Sequence, residues 1–219
     1  MPYRRTENVV RRLAEREQTI LAAATAIAGE GGMGSVHIAA VAERAGIAAG
    51  TVYRYFPSKT DLMAELVAAI AAREIGAMHA AADAAPGPLS ALAAAIITFA
   101  ARALAERRLA WAVIGEAVDA DVDAIRLDFR QSLAVELAER MRAAILGGHL
   151  PDQDAAVAAP AIVGALLEGL LGPLAPMHDH AASGREAVQT ATVLALRALG
   201  VLDARARGLV AQCVLPLSA

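Results

Sequence analysis

An all-α protein is predicted by three features. Alanine, the strongest helix former, is the commonest residue, aromatic residues make up only 3% of the 219 positions, and apolar residues recur at helical spacing. With 57% hydrophobic and 20% charged residues, wholesale disorder is excluded, and the length allows one or two domains with a sizeable core. The lone cysteine, Cys213, permits neither an internal disulfide nor a zinc cluster, which predicts a reducing, cytoplasmic setting. Residues 1–16 are polar and Arg/Glu-rich without an apolar stretch, so no secretory signal is expected.

The elements follow in order. Ile20, Ala23, Ala24 and Ile27 mark a helix over 16–29, and Gly29, Gly31, Gly32 and Gly34 end it. Those glycines are not a phosphate-cradling loop, because no Gly-Lys-Ser/Thr follows and no strand precedes. A short helix spans about 37–45, Gly46 breaks it, and another runs over about 48–56 until Pro57. Ser58 and Asp61 have capping-box spacing and open a long helix to about Ala82. After the linker 84–88, helical patterns fall near 89–106, 109–118, 121–146, 153–172, 185–199 and 203–214, punctuated by Gly147-Gly148, Gly184 and Gly200. No repeat of 20–50 residues is visible.

The most informative segment is Val36 to Lys59. Two short helices joined by a tight turn need a small residue at their crossing, which Ala42 supplies, and a positive φ in the turn, which Gly46 tolerates. Val41, Ile47 and Val52 are positioned to form the apolar underside, so the segment fits a helix-turn-helix. Its second helix carries Thr51, Tyr53, Arg54 and Tyr55, hydroxyls and a cation suited to phosphate oxygens. Lys59, the single lysine beside nineteen arginines, sits in a first helical turn, where the macrodipole disfavours a cation unless an anion lies there too. A solvated surface lysine is the plainer alternative. Residues 1–60 carry eight basic and five acidic side chains, the remainder twelve and eighteen, so a basic front end is joined to an acidic body.

Val41-Ala-Glu-Arg-Ala-Gly-Ile47, followed by Gly50-Thr-Val-Tyr-Arg-Tyr-Phe-Pro-Ser-Lys-Thr-Asp-Leu62, resembles the amino-terminal domain of the TetR (tetracycline-repressor) family over about residues 16–65. The resemblance implies an all-α homodimer. A three-helix helix-turn-helix DNA-binding domain, residues 1–58, would precede a larger helical ligand-binding and dimerisation domain, residues 59–219. It further implies that Thr51, Tyr53, Tyr55, Lys59 and His37 contact phosphates, and that Ala49, Gly50 and Arg54 face the major groove. The sequence departs from the family at Ala48, often a capping serine, and at Ala39, Ala40 and Ala49, often polar. Alanines pack against thymine methyls but cannot hydrogen-bond base edges, which leaves direct readout to Arg54, the amino-terminal arginines and DNA shape.

The carboxy-terminal body matches the family only loosely, in Leu109-Ala-Trp111, Glu116, Arg126 and Phe129-Arg130. Phe99, Trp111 and Phe129 are candidates to line an apolar ligand cavity, or else plain core. Arg126 and Arg130, four apart on one helix face, suit either a ligand carboxylate or an ion pair, for example with Glu116. His178-Asp179-His180 lacks a third ligand at helical spacing, so no metal and no cofactor is expected. The stretch 155–177 is apolar except Glu168, but Pro160, Pro173 and Pro176 interrupt it and acids flank it, so a buried or subunit-interface helix is expected rather than a membrane span. The resemblance supplies its partner: a four-helix homodimer interface built from the helices near 155–172 and 185–199.

The function these features predict is a DNA-binding transcriptional regulator, a repressor released from a palindromic operator by a small apolar or amphipathic ligand. No nucleophile, base or carboxylate pair stands out, so an enzyme is not expected. The competing reading is a helical interaction or membrane-associated protein without DNA affinity.

Overall fold

The computed structural model describes residues 7–116, 120–177 and 181–213, all of it helix, turn or loop. Among the described residues ten α-helices follow in order: α1 (Glu7–Gly31), α2 (Ile38–Arg44), α3 (Ala49–Tyr55), α4 (Lys59–Asp83), α5 (Pro88–Ala105), α6 (Arg107–Ile114), α7 (Ala120–Leu146), α8 (Ala155–Leu166), α9 (Ala181–Ala198) and α10 (Asp203–Gln212). A 3-10 turn, Met33–Ser35, follows α1, and a π-helical turn, Leu167–Leu171, extends α8. The sequence places most of these elements within a few residues. The main difference is α1, which begins at Glu7 rather than 16, because Arg/Glu-rich sequence is itself a good helix former without an apolar stripe.

Local chemistry explains the boundaries. Ser58 caps α4, its hydroxyl oxygen accepting the Asp61 N–H at 3.0 Å. The reciprocal half of the expected box is replaced by the Ser58 hydroxyl donating to the Asp61 carboxylate at 2.8 Å. Pro88 occupies the first turn of α5, where its missing N–H costs nothing, and the Ser90 hydroxyl takes the Gly87 N–H. Asp154 caps α8 through the Ala156 N–H. Within α8, Pro160 removes one donor from the ladder, and at 167–171 the bonding widens to the π pattern, closed by Gly172 N–H to Leu167 O at 2.8 Å.

The core is assembled on α5, whose Leu92, Ala95, Ile96, Phe99 and Ala100 are buried together with residues on the helix's other sides. It packs against α4, α7 and α9, while α7 also packs on α8, and α10 closes one end against α9 and α5. Leu133, Leu137 and Met141 on α7, and Leu62, Leu66 and Ile70 on α4, follow the four-residue spacing of one buried face. Among the described residues, α5 is the helix long and apolar enough to cross a membrane, yet two thirds of it (67%) lies buried within the protein. It is a core helix, and the shorter apolar stretch Ala155–Leu171 does not reach that length.

Buried charge is paired. Glu74 on α4 receives Arg102 of α5 through Nε at 2.7 Å and Nη2 at 3.0 Å, and Arg73 through Nε at 2.7 Å. Arg73 reaches on to Glu106 at 2.8 Å. The hydrogen bonds it donates to Glu74 hold the Arg102 guanidinium above its usual pKa, outweighing desolvation. Further along α4, at His79, buried Glu136 of α7 faces the imidazole and accepts from Arg140 at 2.8 Å.

Candidate nucleic-acid interface

The helix-turn-helix forms as the residues dictate. Ala42, nearly fully buried, lets α2 and α3 approach, and Val41 and Val52 are sealed beneath them, with Ile47 half-buried at the edge. Gly46 takes φ +65°, and the turn is tied by Gly46 N–H to Glu43 O at 3.1 Å and Ile47 N–H to Ala42 O at 3.0 Å. Arg44 clamps the turn to α1 through both oxygens of Glu30, at 2.7 and 2.8 Å. That pairing holds the Glu30 carboxyl below its ordinary range.

The outer face of α3 carries its polar groups to solvent. Ala49, Gly50, Tyr53 and Arg54 are exposed, and Thr51 and Tyr55 are half-buried at its flanks. Arg54 lies over the Tyr55 ring, 5.9 Å from its centroid, which steers the guanidinium. At Gly50 the backbone needs no positive φ, and an added Cβ would meet nothing of this chain. Nothing within the protein requires a glycine there. Exposed His37, at the start of α2, and half-buried Lys59, in the first turn of α4, are 22 residues apart in sequence, yet His37 Nδ1 and Lys59 Nζ stand 3.5 Å from each other. Lysine, histidine and the amino end of a 25-residue helix are thus gathered at one surface point.

Sequence reasoning missed the connection between this domain and the body. Glu116, at the end of α6, accepts the Met33 N–H at 2.8 Å through one oxygen and pairs with Arg108 through the other. Gly32 takes φ +81° and ψ 178°, and a Cβ there would run into the Arg108 guanidinium and stand 2.6 Å from the Glu116 oxygens. At the other end of α6, Arg107 donates to the carbonyls of Gly172 (3.2 Å), Ala175 (3.2 Å) and Pro176 (3.0 Å). Cations in the first turn of a helix, as at Arg107 and Arg108, are the sequence signal that could have marked this contact.

The five candidate ligand residues are only partly brought together. Phe99 and Phe129 are buried and share a cleft with Ile70, Glu74, Arg102 and Val113, but its volume is about 20 Å³, room for a single water. Trp111 does not line that cleft; its ring lies on Gly115, where a side chain would not fit. Arg126 is buried and caps the end of α6 by donating to Ile114 O at 3.1 Å while pairing with Asp123; its Nε has no partner among the described residues. Arg130 is exposed. Of the alternatives open to these arginines, Arg126 takes an ion pair, with Asp123 and not with Glu116, whose carboxylate is held by Arg108. His178-Asp179-His180 lies outside the described residues, and no group of three or more metal-binding side chains occurs among those described.

Comparison with known proteins agrees with this geometry. The family described as bacterial regulatory proteins, tetR family, matches residues 20–66. The repressor KstR of Mycolicibacterium smegmatis, named an HTH-type transcriptional repressor, is 57% identical over 49 residues, 22% of this chain and 24% of that protein. KstR of Rhodococcus jostii is 52% identical over 54 residues, 25% and 26% respectively. The match therefore spans about a quarter of these relatives' length. Among solved structures, RolR in complex with resorcinol superposes with a TM-score of 0.67 at 20% identity, covering 94% of this chain and all of RolR (100%). The fatty acid degradation regulator FadR of Bacillus halodurans gives 0.70 at 20% identity, covering 84% and 98%. These likenesses establish the fold of the chain, and residues 20–66, which hold the helix-turn-helix, are similar to the tetR family of bacterial regulatory proteins.

Proposed function

We propose that this protein is a dimeric transcriptional repressor that seats α3 of each subunit in the major groove of a palindromic operator and leaves it when a small ligand binds the helical body. The observation that carries the reading is the surface formed by Tyr53, Arg54, Lys59 and His37. These side chains are polar and exposed or half-exposed, and two of them, His37 and Lys59, meet at a helix end that favours anions. Tyr53, Thr51, Tyr55, Lys59 and His37 take phosphates, and Arg54 reads base edges; Ala49 and Gly50 allow the backbone of α3 to approach the groove. The division into residues 1–58 and 59–219 follows, with α4 beginning at the interface and continuing into the body.

The dimer forms through α8 and α9. Val157 and Leu194 are exposed there, and an open apolar groove of about 430 Å³, lined by Ile162, Ala165, Gly169, Ala191 and Leu194, runs between them. A second copy of the same pair of helices covers that face in a four-helix interface.

The ligand is small and apolar or amphipathic, and it enters at Phe99 and Phe129, with Trp111, Arg126 and Arg130 around the α6–α7 end of the same region. RolR, a structural neighbour, was solved with resorcinol, which supports a ligand of that kind of size in this fold. Since the cleft is nearly filled, a ligand must spread α4, α5, α6 and α7. Displacing α6 pulls on Glu116 and hence on Gly32–Met33 of the DNA-binding domain, so ligand favours an arrangement in which the two copies of α3 no longer match the operator.

Lys59→Ala and Tyr53→Phe test the interface. Loss of one phosphate contact per subunit flattens the dependence of log affinity on log salt by about two units per dimer for the lysine variant. An unchanged slope removes Lys59 from the interface. Ligand entry is read from the fluorescence of Trp111, the single tryptophan.

A further inference from the structure

Gly76 is a residue of α4 that its own surroundings do not require. It lies well inside a 25-residue helix, is exposed, and does not take a positive φ. A Cβ at that position would meet nothing. An interior glycine disfavours helix about fivefold relative to alanine, so stability is lost there without any gain in close packing. No other glycine occurs in α4, and none occurs in α5, α6 or α7, the helices that surround the cleft at Phe99 and Phe129.

The ties on either side of this weak point lead to different helices. Just before it, Glu74 is bound to α5 by Arg102, at 2.7 and 3.0 Å, and Arg73 reaches Glu106, at the end of α5, at 2.8 Å. Just after it, His79 Nε2 stands 2.5 Å from Glu136 Oε2 on α7, and Asp83 accepts from Arg140 of α7 at 2.9 Å. Glu74 and Glu136 are buried, and a buried carboxylate parted from its partners is costly. The exposed Asp83–Arg140 pair is the weaker of the two ties to α7. Helix α4 is therefore held to α5 on the amino-terminal side of Gly76 and to α7 on the carboxy-terminal side.

Phe99 of α5 and Phe129 of α7 fill the cleft between them to about 20 Å³. A molecule larger than one water enters only if α5 and α7 part. Residues 73–74 then follow α5 while residues 79–83 follow α7, and the strain falls on the short segment between. We infer that Gly76 is the joint at which α4 bends when this cleft opens, so that helix stiffness at position 76 sets part of the cost of admitting a ligand. This rests on the ligand reading above and extends it to a residue outside the lining of the cleft. An exposed glycine without packing demands is otherwise a neutral surface position, and the experiment separates the two.

The full-length protein is titrated with the amphipathic dye anilinonaphthalene sulfonate, far larger than the closed cleft, and binding is followed by energy transfer from Trp111. The variants are Gly76→Ala, His79→Ala, which removes the main tie to α7, and His79→Ala/Gly76→Ala. Gly208→Ala is the reference, an exposed interior glycine of α10 whose added Cβ also meets nothing. Both single glycine variants raise the melting temperature, because alanine favours helix. Gly76→Ala also weakens the dye about fivefold, the propensity difference now opposing the bend, while Gly208→Ala leaves the affinity unchanged. In the His79→Ala background, Gly76→Ala no longer weakens the dye, since α4 need not bend between two ties when one is cut. The inference is overturned if Gly76→Ala binds the dye as the wild type does, or if its weakening persists in full without His79. If the wild type and every variant show no dye binding near Trp111, the ligand reading itself fails, and this inference with it.

Discussion

Substituting two glycines by alanine separates the cost of backbone strain from the cost of breaking the link between the helix-turn-helix segment and the helices that follow it. Gly46 and Gly32 both have positive φ, +65° and +81°. At Gly46 a new Cβ meets nothing, so Gly46→Ala carries only the left-handed penalty, about 1 kcal/mol. Gly32 combines its φ with ψ 178°, a region that glycine alone adopts readily, at about 1–3 kcal/mol for other residues. Its Cβ also displaces Arg108 and Glu116. Glu116 then releases the N–H of buried Met33, a charge-assisted bond contributing about 1.5–3 kcal/mol. Gly32→Ala is therefore expected to destabilise by about 3–5 kcal/mol, roughly 10 °C in melting temperature for a chain of this size. Urea unfolding followed by circular dichroism measures both variants. A second pair, Glu116→Ala and Glu116→Ala/Gly32→Ala, isolates the link: with the carboxylate already gone, the alanine at 32 costs only its backbone share. If Gly32→Ala costs no more than Gly46→Ala, or costs the same with and without Glu116, the link holds nothing and the route from α6 to the helix-turn-helix must be sought elsewhere.

Two further outcomes follow from the body. Arg107→Lys keeps the charge but loses the planar fork that reaches three carbonyls at once, so amide hydrogen exchange over 171–177 quickens while α7 is unaffected; unchanged exchange means the turn is held by its own packing. Cys213 is half-buried, and burial pushes its thiol above the ordinary range, so the thiolate fraction at neutral pH falls and alkylation by iodoacetamide is slower than for an unfolded control at the same pH. As pH rises toward the raised value the difference narrows, and equal rates at pH 7.5–8 (about half a unit to one unit below a free thiol's pKa) contradict the burial.

How far the sequence reveals this fold depends on what each element rests on. Elements fixed by local chemistry are legible: Gly46 as the turn and Ser58 as a cap, whereas Pro88, read as the end of a linker, opens α5. The start of α1 is not, because Val9–Thr19 has no fully buried residue, and periodicity registers only a buried face. The π turn at 167–171 reads as ordinary helix, since nothing in Leu-Glu-Gly-Leu-Leu distinguishes the two hydrogen-bond ladders.

The residues proposed to face DNA are legible for a reason that does not extend to the body. A helix-turn-helix brings its exposed groups together within about two dozen residues of chain, so spacing and helix geometry alone predict which side chains share a face; even His37 and Lys59, which meet across 22 positions, do so at two helix starts that the sequence marks. In the body, the pairings that matter join positions 28 to 83 residues apart: Glu74 with Arg102, Arg107 with Gly172, Glu116 with Met33. Such pairs are selected by how five or more helices pack, and a single sequence offers dozens of equally spaced alternatives. That is why Arg126 and Arg130 stand out in the sequence as partners for Glu116 when Arg108, eight residues before it at the start of α6, takes that place. It also means that the residues around α6 form a test the helix-turn-helix cannot supply. If ligand and DNA oppose each other in this protein, the opposition passes through Glu116, Arg108 and Met33, and a Glu116→Gln variant, which retains an acceptor for the Met33 N–H but not the charge for Arg108, weakens the coupling between the two sites without altering the duplex salt slope.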